Sequence, residues 1–221
     1  MVVKSLTTPG YFAELYERLG RVPMERIRMD PPPGMATEAD VIRIIDSEEK
    51  RICELVDGTL VEKTVGNRES MLTMEIGHRI KLFLKEDSRD IVLGADGGIL
   101  MLKGNVRFPD VSYFPMDSFP DGEVETGSIW YTFPALAVEV LSPSNTAGEI
   151  SRKISELFQG GTKLIWVIDP DLRAADVYSS PEKFKHLSVK DALPGGSALP
   201  GFSLPLSKLF PPHAKKKGRT R

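Results

Sequence analysis

Asp110, Glu139 and Lys153 are the residues of this chain whose types and surroundings suit hydrolysis of a phosphodiester. Two carboxylates hold a hard divalent cation such as Mg2+ or Mn2+ through oxygen, and an ammonium group orients or deprotonates water and offsets charge in the transition state. Glu139 interrupts Ala135 to Leu141, a nearly continuous apolar run that reads as a strand buried on both faces. An ionised carboxylate there costs roughly several kcal/mol unless it is paired, hydrogen-bonded or metal-bound, so the position demands a partner. Lys153 can supply it. On residue types and spacing alone, a structural Glu139–Lys153 ion pair and a catalytic grouping both meet the demand.

The elements around these residues must bring them together. Ser142-Pro143-Ser144-Asn145 breaks the strand and offers helix N-cap residues, after which Ile150, Ile154, Leu157 and Phe158 repeat at helical spacing. Lys153 lies about 60° from Ile150 around that helix, on the margin of its apolar stripe, and can reach back toward the strand end. Upstream, Val106 to Phe114 alternates apolar and polar residues as a half-buried strand does, with Pro109 marking an edge, bulge or bend where pairing lapses. Asp110 follows that break directly. Ser142 and Asn145 suit turn and cap roles better than phosphate contacts. Asn67 to about Glu86 reads as an amphipathic helix with Leu72, Ile76, Ile80 and Phe83 on one face. Glu69 shares that face in the first turn, where it either answers the helix dipole or joins the metal shell. His78 lies on the opposite side and is expected to face solvent.

The blocks PDVSYF, PALAVEVLSPSNT, RK and KLIWVIDP, in this order, resemble the signatures of the Uma-two family of restriction endonucleases, within the PD-(D/E)xK nuclease superfamily. The resemblance runs from about Thr37 to Tyr178. It implies that Asp110 and Glu139 bind the metal and that Lys153 replaces the lysine usually found two residues after the Glu, a place held here by Leu141. It further implies an acidic residue on the first core helix, matched by Glu69, with Glu54 as the other candidate.

In the rest of the chain, residues 9 to 20 form a candidate accessory helix, and Asp30-Pro31-Pro32-Pro33-Gly34 is a rigid linker. Thr37 can cap a helix, and Asp57-Gly58 joins strands 51–56 and 59–64 as a tight hairpin. Strands are expected at 91–93, 99–102 and 164–168, with edge strands at 175–178 and 184–189 and a loop-rich end. Trp130 and Tyr131, at the exit of the 116–132 loop, are expected to pack rather than to stack on bases.

With 221 residues, 41% of them hydrophobic, the chain can build one sizeable core. Three parts are expected: an N-terminal extension and Pro-rich linker (1–34), a nuclease-like domain (35–210) and a basic tail (211–221). The domain should be α/β, a restriction-endonuclease-like core with a mixed sheet flanked by helices. The lone Cys53 rules out an intramolecular disulfide, and three histidines favour hard-cation chemistry over zinc. No membrane-spanning run or signal-peptide pattern stands out, which points to the cytoplasm. Net charge is −2, yet KKKGRTR at the end carries five positive charges, leaving −7 on the body. An acidic body weighs against a strong general DNA binder, whereas the tail could serve as a phosphate anchor or a solvated end. The expected function is Mg2+- or Mn2+-dependent endonuclease cleavage of DNA, with a homodimer open as an assembly. The competing readings are a noncatalytic nucleic-acid or protein interaction module with the nuclease fold, and cleavage of RNA.

Overall fold

The computed structural model describes residues 9–48, 51–64 and 66–210; the basic tail and its expected phosphate contacts lie outside them. Helix α1 (Pro9–Arg18) is followed by a 3-10 turn at Met24–Arg26 and by helix α2 (Glu38–Ile45). At the start of α2 the Asp40 carboxylate accepts hydrogen bonds from the Thr37 amide and hydroxyl, as a capping residue pair should arrange. Strands β1 (Cys53–Val56) and β2 (Thr59–Glu62) make the expected hairpin. Asp57 (φ 48°) and Gly58 (φ 71°) both take positive φ, the geometry of a two-residue turn whose twist matches the strands.

Helix α3 (Asn67–Phe83) leads to β3 (Ile91–Leu93), β4 (Gly98–Leu100), β5 (Val106–Arg107) and β6 (Val111–Phe114). The stretch 106–114 is thus two strands, not one. Pro109 cannot donate to a ladder, and the chain uses that gap to change sheets. β5 belongs to a five-stranded sheet of order β2-β1-β5-β4-β7, closed by β7 (Ile129–Trp130), whereas β6 joins a six-stranded sheet. The segment Phe108-Pro109-Asp110 is the crossing point between them.

Strand β8 (Leu136–Val140), helix α4 (Ala147–Gln159), and strands β9 (Leu164–Asp169), β10 (Ala174–Ser180) and β11 (Lys183–Leu187) complete the larger sheet, whose order is β11-β10-β9-β8-β6-β3. β8 pairs antiparallel with β6 and parallel with β9, so it is central and buried at all five positions. Its side chains alternate. Leu136, Val138 and Val140 share a core with Leu72, Ile76 and Ile80 of α3, while Ala137 shares one with Ile154 and Leu157 of α4. Glu139 has the parity of Ala137, which directs it toward α4 and Lys153. Helix α4 is capped by Thr146, one residue beyond the stretch expected to do so, because Glu149 stands three positions later and completes a reciprocal capping box. The C-terminal end has more structure than its Pro and Gly content suggests: β12 (Ala192–Pro194) pairs with β13 (Ser203–Pro205), and α5 (Leu206–Leu209) packs into the α3 core.

The N-terminal extension is docked on the domain rather than hanging from it. Leu15, Leu19, Val22 and Ile27 pack with Val56 and Val61 of the hairpin. No helix among the described residues is long and apolar enough to cross a membrane.

Candidate active site

Asp110 and Glu139 meet where β6 and β8 run side by side. The Asp110 amide donates to the Val138 carbonyl at 2.9 Å, and its carboxylate Oδ2 accepts the Val140 amide hydrogen at 2.6 Å. Asp110 therefore brackets Glu139 along β8. Lys153 approaches from α4, with Nζ 2.9 Å from Glu139 Oε2 and 2.7 Å from Glu54 Oε1. A second ammonium completes the group: Lys63, just after β2, lies 2.8 Å from Asp110 Oδ1. Both lysines donate to the Phe108 carbonyl, at 2.6 Å from Lys63 and 3.3 Å from Lys153.

Behind this first group lies a buried network. The Arg107 guanidinium bridges Glu54 and Glu156, each at 2.7 Å, and the Phe108 amide donates to Glu54 at 3.1 Å. Asn105 and Arg152 donate to the other oxygen of Glu156. Arg26, from the N-terminal extension, grips Glu149 through both carboxylate oxygens, and also donates to the Glu62 and Ser144 carbonyls.

Electrostatics separates the acids. Burial raises the Glu139 carboxyl, as does the nearby Asp110 charge, and Lys153 only partly opposes them, so it is pushed up to about 7. For Glu54 burial acts in the same sense but is outweighed by Lys153 and Arg107, which hold it well below the usual carboxylate range. Burial disfavours the Lys153 ammonium, yet Glu139, Glu54 and Asp110 together raise its pKa above the ordinary lysine value. Lys153 is thereby kept cationic.

A small cavity of about 20 Å³ lies among Asp110, Glu139, Glu54, Lys63, Lys153 and Glu69. That is space for about one water-sized occupant. Glu139 Oε1 is buried without a hydrogen-bond partner. The donors are all oxygen, which suits Mg2+ or Mn2+ rather than a thiophilic metal. Asp110 and Glu139 thus fit as holders of one hard cation, with the rest of its shell left to water or substrate. Among the described residues no three Asp, Glu, His or Cys side chains form a ready-made cage. Glu69 lines the cavity, but its carboxylate folds back over Gly66 at the start of α3, where a Cβ would meet Glu69 Oε2 at 2.2 Å. That placement answers the helix dipole.

His78 is exposed, as its helical position implies. Ser142 and Asn145 serve the turn: the Ser142 amide and hydroxyl both donate to Asn145 Oδ1. Trp130 packs edge-on against Phe114 and Phe119, whereas Tyr131 is exposed and donates its hydroxyl to Glu38. A larger cleft of about 480 Å³ adjoins the small cavity across Asn145 and Ile150, but it contains no lysine–carboxylate group.

The model of the Uma2 family, described as "Putative restriction endonuclease", matches residues 38–207. The chain belongs to the Uma2 family. No curated protein matches it. Among solved structures it is similar to "a putative nuclease belonging to DUF820" from Anabaena variabilis, with 21% identity, a TM-score of 0.64, and coverage of 72% of this chain and 89% of that one. At that identity the likeness establishes the fold, a nuclease-like mixed α/β arrangement. The Uma2 match stops short of Arg26, so the extension that clamps α4 lies outside the matched segment.

Proposed function

We propose that this Uma2 protein is an endonuclease that hydrolyses phosphodiester bonds in DNA with the help of one Mg2+ or Mn2+ ion. The observation that carries the reading is the unpartnered, buried Oε1 of Glu139, a residue that lines a one-water cavity together with Asp110 and Lys153. Buried polar atoms are almost always satisfied, so an orphaned carboxylate oxygen beside a second carboxylate is where a cation belongs. Asp110 and Glu139 would hold the ion, which supplies Lewis-acid polarisation of the phosphoryl group and an acidified water. Asp110 is preset for that task by the Val140 amide, which fixes Oδ2. Lys153 is raised and cationic, so it stabilises negative charge and orients a water rather than taking a proton from one. Glu139 must lose its proton to act as a ligand, and its position near 7 makes that loss accessible at neutral pH. The family description supports nucleic acid as the substrate class.

The test is cleavage of supercoiled plasmid, single-stranded DNA and RNA across Mg2+ and Mn2+, with Asp110→Asn as the control. Nicking of plasmid that requires the ion and is lost in the variant is the expected result. A second reading is favoured by the closure of both lysines onto the carboxylates: a nuclease-fold module that binds without cleaving. It requires that calorimetry find no divalent-ion site that disappears with Asp110→Ala.

A further inference from the structure

Lys63 is the ammonium group of the inner site that the proposed mechanism leaves unused. Its ammonium is held by three fixed acceptors: Asp110 Oδ1 at 2.8 Å, the Phe108 carbonyl at 2.6 Å and the Ala95 carbonyl at 3.1 Å. The other carboxylate oxygens are also committed. Asp110 Oδ2 takes the Val140 amide, Glu139 Oε2 takes Lys153, Glu54 Oε1 takes Lys153 and the Phe108 amide, and Glu54 Oε2 takes Arg107. Glu139 Oε1 alone among them has no partner.

Two-metal phosphodiesterase sites place their ions about 3.5–4 Å apart, close enough for one carboxylate to bridge them. Here Lys63 already occupies Asp110 Oδ1, an oxygen on which a second ion beside the first would have to draw. Charge leads to the same count. Among the groups whose side chains are at most 11% exposed, Glu54, Asp110, Glu139 and Glu156 face Lys63, Lys153 and Arg107, and the Arg26–Glu149 pair cancels, so this buried group when ionised carries one net negative charge; Arg152, Arg18, Asp57 and Glu69 lie at its partly exposed margin, where solvent screens them. One divalent ion turns that to one positive charge, which a bound phosphodiester neutralises. A second ion would leave two buried positive charges without partners, at a steep desolvation cost.

We propose that Lys63 stands where a second metal ion would sit, as a cation built into the chain, so that the site works with a single divalent ion. This rests on the metal-dependent reading above. Lys63 would hold Asp110 Oδ1 in place and contribute a fixed positive charge next to the phosphate, a role that neither varies with metal concentration nor requires a second binding step.

The experiment is calorimetric titration of the full chain with Mn2+ well above pH 7, beside electron paramagnetic resonance of the bound ion. Wild type is expected to take one Mn2+ per chain, with the spectrum of an isolated ion. Lys63→Met, which keeps the side-chain length and removes the charge, is expected to take two, and Lys63→Arg to return to one. Two ions in wild type, or one in Lys63→Met, would overturn the proposal. Should Lys63→Met fail to fold, the resonance spectrum of wild type in excess Mn2+ decides: an isolated ion supports the proposal and an exchange-coupled pair sinks it. No bound ion in wild type, or one that survives Asp110→Ala, would instead remove the metal-dependent reading itself, an outcome distinct from a count of two.

Discussion

Glu139 and Glu54 share one ammonium group: Lys153 Nζ lies 2.9 Å from the first and 2.7 Å from the second, yet the two acids shift in opposite directions. Arg107 and Asp110 make the difference, because the Arg107 guanidinium pairs with Glu54 and lowers it while the neighbouring Asp110 charge raises Glu139. A pH dependence of stability follows in the metal-free protein. Below 4.5, the ordinary value, Glu139 is protonated whether folded or unfolded and favours neither state. Between 4.5 and about 7 the native state keeps a proton that the unfolded chain has released, so stability falls as pH rises. Above about 7 both states are ionised and the contribution is constant. The total loss is on the order of 3 kcal/mol, since each tenfold change in proton affinity is worth about 1.4 kcal/mol. Urea denaturation of wild type and Glu139→Gln across this range checks it, since the glutamine variant should lack the slope.

The apolar setting of Glu139, the Pro109 break before Asp110 and the helical position of Lys153 were all legible in the chain, because each is a local pattern. Glu54 in Cys53–Val56 is a carboxylate in a fully buried strand, and the argument that demands a partner for Glu139 applies to it unchanged. Arg107, completely enclosed beside Val106 and Phe108, carries the same signal. Lys63 does not. It follows a short strand like many exposed lysines, and only the crossing of the chain between two sheets at Phe108-Pro109-Asp110 brings Asp110 to it. Periodicity reports which face a residue occupies, not which strand lies next to it, so the sheet switch and its consequences were out of reach.

Arg107 should be the most stability-critical charged residue in the chain. Replacing it with Met leaves Glu54 with Lys153 and Glu156 with Arg152 and Asn105, but strips Glu156 of its strongest buried partner and Glu54 of one of its two buried cations. Removing one member of a buried charge network costs about 3–5 kcal/mol. Denaturant titration should show a loss in that range, and a loss below about 1 kcal/mol would mean that water enters the network.

Lys153→Met should separate binding from chemistry. An ammonium group is not a metal ligand, so Asp110 and Glu139 keep their oxygens and Mn2+ affinity should hold or rise as a competing cation is removed. Cleavage should fall by roughly 100-fold or more, the scale of a lost electrostatic contact in the transition state. Calorimetry and plasmid nicking on the same preparation test both halves. Loss of Mn2+ binding together with cleavage would reduce Lys153 to a structural partner of Glu139 and Glu54.

Arg26 should couple the N-terminal extension to the site. Its guanidinium lies 2.6 and 2.9 Å from the two oxygens of Glu149, both side chains are buried, and it also donates to Glu62, which directly precedes Lys63, and to Ser144 in the turn after β8. Glu149 in turn caps α4, the helix that carries Lys153. Arg26→Met should therefore cost about 3 kcal/mol or more, because it leaves a buried carboxylate without its cation. Glu149→Gln should be costly alone but much cheaper once Arg26 is gone, giving a coupling of at least about 1 kcal/mol in a double-mutant cycle, where contacting charged residues typically show roughly 0.5–3 kcal/mol. Limited proteolysis supplies the structural readout, since the loosened extension should be cut sooner near Arg26 than in wild type. If the two substitutions add within about 0.5 kcal/mol, the extension is held by its other contacts, the packing of Leu15, Leu19, Val22 and Ile27 and the Arg18–Asp57 and Thr146–Gly20 contacts among them, and Arg26 has no part in holding the site.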